Sequence, residues 1–214
     1  KENGQKILKN KIIKKKFVYL ISPTRIYNNK FYKKLKDLLK TKKISFFQLR
    51  LKRESTKNKL IIGKKISKIC KKFKVKFIIN DDPILAHKLN ADGCHLGQKD
   101  MKILEAQKIL KKKIIGITCN NSLSLVRQAI KNKASYIAIG AFNTSKTKKI
   151  KFKANIKLLK IVKKITNIPI VAIGGINLAN YKNLLLNKAN FLAISGYIWK
   201  NKKYEPLEAI NKLK

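Results

Sequence analysis

The chain has 214 residues, of which 53 are lysine or arginine and 10 are aspartate or glutamate, which gives a formal net charge of +43. This length supports one domain with a sizeable core, and a hydrophobic fraction of 44% excludes an intrinsically disordered chain despite the charge. No apolar run is long enough to span a bilayer, and the basic amino-terminal stretch lacks the apolar segment of a secretory signal, so we expect a cytoplasmic protein with no membrane partner.

Eight short apolar segments, rich in β-branched and aromatic residues, predict β-strands. In chain order they cover residues 17–21, 45–49, 75–79, 93–96, 114–118, 135–140, 168–174 and 191–195. The stretches between them are amphipathic. One helical face, for example, carries Ile62, Ile66, Ile69, Cys70 and Phe73. Strands that are apolar on both faces and alternate with helices are typical of a parallel sheet covered by helices.

The number of strands predicts an α/β fold, a single-domain (β/α)8 TIM barrel. We expect this domain over residues 17–214, preceded by a basic extension at residues 1–16. A doubly wound open sheet is the alternative. That fold would place a G-x-G-x-x-G turn after its first strand, and this sequence has none there. The barrel is therefore favoured.

The basic residues do not form a pattern typical of a nucleic-acid interface. Four of them are arginine (Arg25, Arg50, Arg53 and Arg127), and the lysines are spread over every predicted helix. Lysine, asparagine and isoleucine, all abundant here, have A/T-rich codons, so nucleotide bias explains much of the excess. We expect no specific nucleic-acid partner, but a field that favours anionic ligands. Three scattered cysteines indicate free thiols rather than disulfides or a zinc site.

Four of the ten acidic residues lie within residues 81–100. In a barrel the chemistry lies at the carboxyl ends of the strands. Asp81 ends the third strand and Asp100 follows the fourth, so the two carboxylates can share Mg²⁺ through hard oxygen ligands. Helix capping is the alternative for both, Asp82 is expected to be an N-cap, and Asp92 is expected to lie in a turn at the opposite end of the barrel.

Other strand ends carry basic and hydroxyl side chains. Arg50, Lys52 and Lys148 are suited to surround an anionic group, with Ser145 and Thr147 beside it. Glycines end the seventh and eighth strands, where barrels commonly bind a phosphate through backbone N–H groups. The sequence therefore predicts a metal-assisted diphosphate site and a second, plain phosphate site. His87 and His95 are interpreted as surface or core residues rather than catalysts.

The ordered motifs QLRLK, IINDD, ADGCHLGQKD, GITC, TSKTK, AIGGI and AISG resemble the thiamine-phosphate synthase family, from about Val18 to Trp199. The resemblance implies a TIM-barrel transferase of thiamine biosynthesis that uses Mg²⁺ and small phosphorylated substrates. It implies that 4-amino-5-hydroxymethyl-2-methylpyrimidine diphosphate loses diphosphate, and that the nitrogen of the phosphorylated hydroxyethyl-thiazole then attacks the pyrimidine-stabilised cation.

The resemblance also implies residue roles. Pyrimidine diphosphate contacts are expected from Gln48, Leu49, Arg50, Leu51, Lys52, Asn80, Thr118 and Lys148. Arg50, Lys52, Thr118 and Lys148 are expected to be catalytic, with Lys148 on the leaving group. Asp81 and Asp100 are expected to bind Mg²⁺. Thiazole phosphate contacts are expected from Ser145, Lys146, Thr147, Gly175, Ser195 and Gly196.

The loop after the sixth strand departs from the family pattern. Thr144 and Ser145 replace a proline and a threonine, Lys146 adds a charge, and Thr118 replaces a serine at the fifth strand. The nearest alternative is a thiazole tautomerase on the same barrel, which lacks the diphosphate and metal residues. Their retention here favours the synthase. The sequence leaves the oligomeric state open, including a homo-oligomer.

Overall fold

A computed structural model describes residues 16–143 and 153–214 of the chain. Eight parallel strands pair in chain order, and the last pairs with the first, so the sheet closes into a barrel. The strands are β1 (Val18–Ile21), β2 (Ile44–Leu49), β3 (Lys76–Asn80), β4 (Gly93–Leu96), β5 (Ile114–Asn120), β6 (Tyr136–Gly140), β7 (Ile170–Ile173) and β8 (Phe191–Ile194). Each overlaps a predicted strand. The barrel prediction is confirmed and the open-sheet alternative is wrong.

Helices follow the strands and cover the outside of the barrel. They are α1 (Lys30–Lys40), α2 (Thr56–Lys72), α3 (Pro83–Lys88), α4 (Ile103–Leu110), α5 (Leu123–Lys131), α6 (Ile156–Ile165), α7 (Tyr181–Leu186), α8 (Gly196–Trp199) and α9 (Pro206–Lys212). The predicted stripe on α2 packs inward, with Ile66 and Cys70 fully buried. None of the described helices combines the length and apolar character that a bilayer span requires.

The strands divide their side chains between two layers, as a period of two requires. The larger apolar cluster lies between the barrel and the helices. A smaller cluster fills the interior of the barrel and is built around aromatic rings. Phe46 stacks on Tyr19 and meets Phe191 edge to face. These rings close the interior at the amino-terminal side and leave the carboxyl ends of the strands to polar residues.

Four of the described helices end in Schellman motifs, in which the residue after the cap adopts a left-handed backbone conformation. After α5, for example, Ala134 N–H donates to Ala129 O at 2.9 Å and Lys133 N–H donates to Ile130 O at 3.0 Å. Glycine normally occupies the left-handed position, but this chain uses Lys74, Asn90, Lys133 and Lys188, with φ between 47° and 80°. The backbone of these turns is therefore strained.

Two further sequence predictions concern this framework. The three cysteines are free and buried, as expected. Residues 1–15 lie outside the described residues, so the boundary between a basic extension and the barrel stays a prediction.

Candidate active site

The two carboxylates predicted to bind metal face one another at the carboxyl ends of β3 and β4. The Asp81 backbone has φ 66°, and its N–H donates to the His95 carbonyl at 2.8 Å. Asp100 Oδ2 accepts a hydrogen bond from Gly97 N–H at 2.7 Å. An added Cβ at Gly97 would lie 3.0 Å from that oxygen. The G-x-x-D segment after β4 is thus a tight turn that aims the Asp100 carboxylate toward Asp81.

The neighbouring acidic residues have structural roles. Asp82 caps α3 by accepting a hydrogen bond from Leu85 N–H at 2.8 Å, as predicted. Asp92 is at the amino-terminal end of the barrel and binds the backbone N–H of Phe77 at 2.8 Å, also as predicted. The helix-capping alternative for Asp100 is wrong, because α4 begins at Ile103 and its N-cap is Lys102, two residues after Asp100.

The paired carboxylates and two basic side chains determine the electrostatics here. Burial, the hydrogen bond to Asp100 and the negative charge of Asp100 raise the pKa of the Asp81 carboxyl. Lys52 and Arg50 act in the opposite direction, and Lys52 Nζ lies 3.7 Å from Asp81 Oδ2. Burial lowers the pKa of Arg50, and the Asp81 charge opposes that effect. A carboxylate whose ionisation is disfavoured by burial and by a facing carboxylate is a place where a cation would be stabilised.

The donor set fits Mg²⁺ better than a transition metal. Within the described residues there is no cluster of three or more histidine, cysteine, aspartate or glutamate side chains suited to a metal. Two carboxylates alone would leave most positions open. Mg²⁺ is commonly bound in this way, by one or two carboxylates, with water and substrate phosphate completing the shell. Asp81 and Asp100 therefore fit the predicted ion.

The end of β2 presents both its backbone and its side chains to the same mouth of the barrel. Gln48 is buried inside the barrel. Arg50 is partly exposed, and its backbone N–H donates a hydrogen bond to Ser22 Oγ at 2.9 Å. The side chains of Leu49 and Leu51 are buried in the outer apolar cluster. Any ligand contact of these two leucines is therefore restricted to their backbone groups.

The predicted phosphate residues of β7 and β8 lie at the same end of the barrel. Gly174 and Gly175 have φ of 104° and 59°. A Cβ at Gly174 would lie 2.4 Å from the Cβ of Ala141, so this turn requires glycine for both conformation and space. Ser195 Oγ is 3.4 Å from the Ser22 carbonyl oxygen, and Gly196 begins α8. The predicted residues Ser145, Lys146, Thr147 and Lys148 lie outside the described residues.

Sequence reasoning missed a set of buried polar side chains inside the barrel. Tyr19 and Tyr136, from β1 and β6, are joined by a hydrogen bond of 2.7 Å between their hydroxyl groups. His95 is 7% exposed, and both its ring nitrogens bond to other side chains. One of those partners is the predicted site residue Thr118. The available signal in the sequence was G-x-T in the fifth strand. Gly116 lies two residues before Thr118 on the same inward face, and a glycine there leaves room for a large side chain from a neighbouring strand.

Fold and site together define a (β/α)8-barrel enzyme whose mouth is arranged for anionic substrates. A sequence model of the family described as thiamine monophosphate synthase matches residues 18–198. The chain belongs to the thiamine monophosphate synthase family, and it is a transferase of thiamine biosynthesis with the activity of that family.

Individual relatives agree with this assignment. A thiamine-phosphate synthase of Pelagibacter ubique is 67% identical over 207 residues, which cover 97% of this chain and all of the relative. One from Nitrosomonas eutropha is 41% identical over 71% of this chain and 72% of its own length. The solved thiamine phosphate pyrophosphorylase from Pyrococcus furiosus superposes with a TM-score of 0.80 at 26% identity, covering 96% of this chain and 95% of that one.

Proposed function

We propose that this site joins 4-amino-5-hydroxymethyl-2-methylpyrimidine diphosphate to 4-methyl-5-(2-phosphooxyethyl)thiazole, with release of diphosphate and formation of thiamine phosphate. The observation that carries the proposal is the facing pair Asp81 and Asp100, with Lys52 and Arg50 beside it. Asp81 and Asp100 would hold a cation where an incoming polyanion could also bind it. The arrangement is suited to a diphosphate, because the metal and the basic side chains neutralise its charge together.

The chemical demand is to stabilise charge that develops on the departing diphosphate before the carbon–nitrogen bond forms. When bound by Asp81 and Asp100, Mg²⁺ would supply Lewis-acid stabilisation of that charge. Arg50 and Lys52 add fixed positive charge at the mouth, and Lys148 is proposed to contact the leaving group. Positioned cations of this kind lower the barrier because they require little reorganisation as the charge moves.

The remaining proposed contacts divide between the two substrates. Gln48, Asn80 and Thr118 line the inner side of the mouth, where the pyrimidine ring would enter, and the backbone of Leu49 and Leu51 borders it. Thiazole phosphate is proposed to bind at the opposite side of the mouth. The residues proposed there are Gly175, Ser195, Gly196, Ser145, Lys146 and Thr147. Backbone N–H groups of the β7 and β8 turns suit a phosphate.

The partners we propose are these small phosphorylated substrates, with no specific nucleic acid and no membrane, and the proposed compartment is the cytoplasm. Oligomeric state does not enter the mechanism, because every proposed contact comes from one chain.

The proposal is tested by mixing purified protein with both substrates and Mg²⁺, and by repeating the reaction with EDTA. Thiamine phosphate and diphosphate are expected in equal amounts, and only when metal is present. Aromatisation of the thiazole tautomer without the pyrimidine substrate or metal would instead identify a tautomerase. Product formation at the same rate in EDTA would contradict the metal assignment.

A further inference from the structure

Five polar side chains form a continuous chain of hydrogen bonds across the interior of the barrel. Gln48 Nε2 is 2.8 Å from Tyr19 Oη, which is 2.7 Å from Tyr136 Oη. Tyr136 Oη is 2.9 Å from His95 Nδ1, and His95 Nε2 is 2.8 Å from Thr118 Oγ1. This hydrogen-bond chain begins at β2, crosses the interior from β1 to β6, and returns through β4 to the mouth at β5.

The Gln48 end determines in which direction the hydrogen bonds of this chain are donated. The Gln48 amide nitrogen can only donate, so Tyr19 Oη accepts from it. Within the described residues, the remaining partner of the Tyr19 hydroxyl is Tyr136 Oη. A buried hydroxyl proton without an acceptor is costly, and Tyr19 is only 1% exposed, so its proton needs an acceptor within the protein. Tyr19 therefore donates to Tyr136.

The same reasoning continues to the histidine. Tyr136 Oη accepts from Tyr19, so its own proton is directed to His95 Nδ1, which must then be an unprotonated acceptor. A neutral imidazole with an unprotonated Nδ1 carries its proton on Nε2. That proton is donated to Thr118 Oγ1. The bond from His95 occupies one of the two lone pairs of Thr118 Oγ1, and the Thr118 hydroxyl keeps its own proton for the substrate side.

We propose that His95 is a positioning residue, held as the neutral Nε2–H tautomer by Gln48, Tyr19 and Tyr136, and that it fixes the Thr118 hydroxyl as a hydrogen-bond donor toward the mouth. The tautomer follows from the resting protein alone. The consequence for catalysis rests on the proposed function, in which Thr118 contacts the pyrimidine diphosphate.

The packing around the two tyrosines keeps this geometry fixed. Tyr19 and Tyr136 are 1% and 3% exposed, and burial raises the pKa of both phenols, so both remain neutral donors. A Cβ at Gly116 would lie 1.9 Å from the Tyr136 ring. Glycine at that position therefore gives the ring the space it needs to reach His95 and Tyr19 at once. The ring of Tyr136 also stacks on that of His95 at an interplanar angle of 11°.

The tautomer is measured by ¹⁵N NMR of histidine-labelled protein. The chain has two histidines, and the second, His87, is exposed on α3 and serves as an internal reference. We expect a non-protonated Nδ1 and a protonated Nε2 for His95, and averaged tautomers for His87. A spectrum showing protonated Nδ1 on His95, alone or with protonated Nε2, would overturn the proposal without any variant.

Tyr136→Phe tests whether the hydrogen-bond chain imposes the tautomer on His95. The variant removes the Nδ1 donor but retains the ring, so we expect mixed tautomers at His95 and a kcat about tenfold lower at nearly unchanged KM. Tyr181→Phe is the matched control. Its buried hydroxyl also makes two hydrogen bonds, to the backbone of Lys214, but lies outside the barrel. The control should alter neither readout, and an unchanged His95 spectrum in Tyr136→Phe would contradict the proposal.

Two substitutions at position 95 separate polarity from packing. Gln offers an acceptor oxygen and a donor nitrogen on its terminal amide, whereas Leu offers neither. We expect His95→Gln to retain much more kcat than His95→Leu. Equal losses in two folded variants would show that His95 serves packing alone. Failure of thiamine phosphate synthesis in the wild type, with the expected tautomer present, would overturn the proposed function and leave the tautomer assignment standing.

Discussion

At the scale of single residues, Asp81 combines features that oppose folding. Its left-handed φ of 66° is an uncommon conformation for a residue with a side chain, and aspartate and asparagine tolerate it best. Its carboxyl is partly buried opposite Asp100, which raises its pKa. Strain and like charge at one position are typical of a functional site. In the metal-free protein this carboxylate should therefore destabilise the fold.

Asp81→Asn tests that expectation. The folded protein holds the Asp81 proton more tightly than the unfolded chain does, so the contribution of this group to stability falls as pH rises from about 3.8 through the folded pKa. We expect the variant to have a higher Tm than wild type at neutral pH in EDTA. Its activity should fall at least about 100-fold.

The Tm difference should shrink as pH falls toward the unfolded value, where both side chains are uncharged. Asp37→Asn is the control, because its carboxylate is paired with Lys40 on the surface of α1. It should leave activity unchanged. A Tm for Asp81→Asn below that of wild type at neutral pH would show that the ion pair with Lys52 outweighs the repulsion.

At the scale of elements, the turns after the helices are the weak points of the barrel. Four Schellman motifs have lysine or asparagine where glycine is preferred. A left-handed conformation costs a residue with a Cβ about 1–2 kcal/mol, and the greater freedom of glycine in the unfolded chain offsets part of any gain from replacing it. The sheet pairing and helix packing must compensate for this repeated strain.

Lys133→Gly should therefore raise the free energy of unfolding by about 1 kcal/mol, with a Tm about 2–4 °C higher. Urea denaturation measures the change. Lys131→Gly, in the last turn of α5, is the matched control and should lower the free energy by about 1 kcal/mol. Equal destabilisation by both substitutions would mean that the Lys133 side chain contributes more than its backbone strain costs.

Strands and helix caps were predictable from the sequence where a single clear pattern determined them. Strands that are apolar on both faces predicted the parallel barrel, and Asp82 before Pro83 predicted the cap of α3. The turns at Lys74, Lys133 and Lys188 were not visible, because lysine carries no turn signal. Asp100 was assigned to helix capping as an alternative, but the N–H of Gly97 is the group it binds.

Within the site, the carboxylate pair was predictable because parallel strands end at one edge. The hydrogen-bond chain inside the barrel was not predictable. Tyr19 and Tyr136 lie in apolar runs, where an aromatic residue indicates core packing, and they meet across 117 positions. Only the closure and register of the barrel bring their hydroxyls together, and no local pattern encodes that meeting.

At the scale of the whole molecule, the net charge of +43 creates a field that attracts phosphorylated substrates. We expect kcat/KM for both substrates to fall about tenfold as ionic strength rises from about 0.01 to 0.15 M, at constant free Mg²⁺. An uncharged osmolyte of equal osmolality is the control and should have little effect. A kcat/KM independent of salt would show that the charge does not act at the site.

We propose that Asp81 and Asp100 hold the metal that the diphosphate requires. The most direct measurement is a Mg²⁺ titration of thiamine phosphate formation by wild type and by Asp100→Asn, which keeps an oxygen for the Gly97 N–H. We predict that the variant needs at least about tenfold more Mg²⁺ for half-maximal rate. The same Mg²⁺ dependence in both proteins, at any maximal rate, would show that Asp100 does not bind the metal.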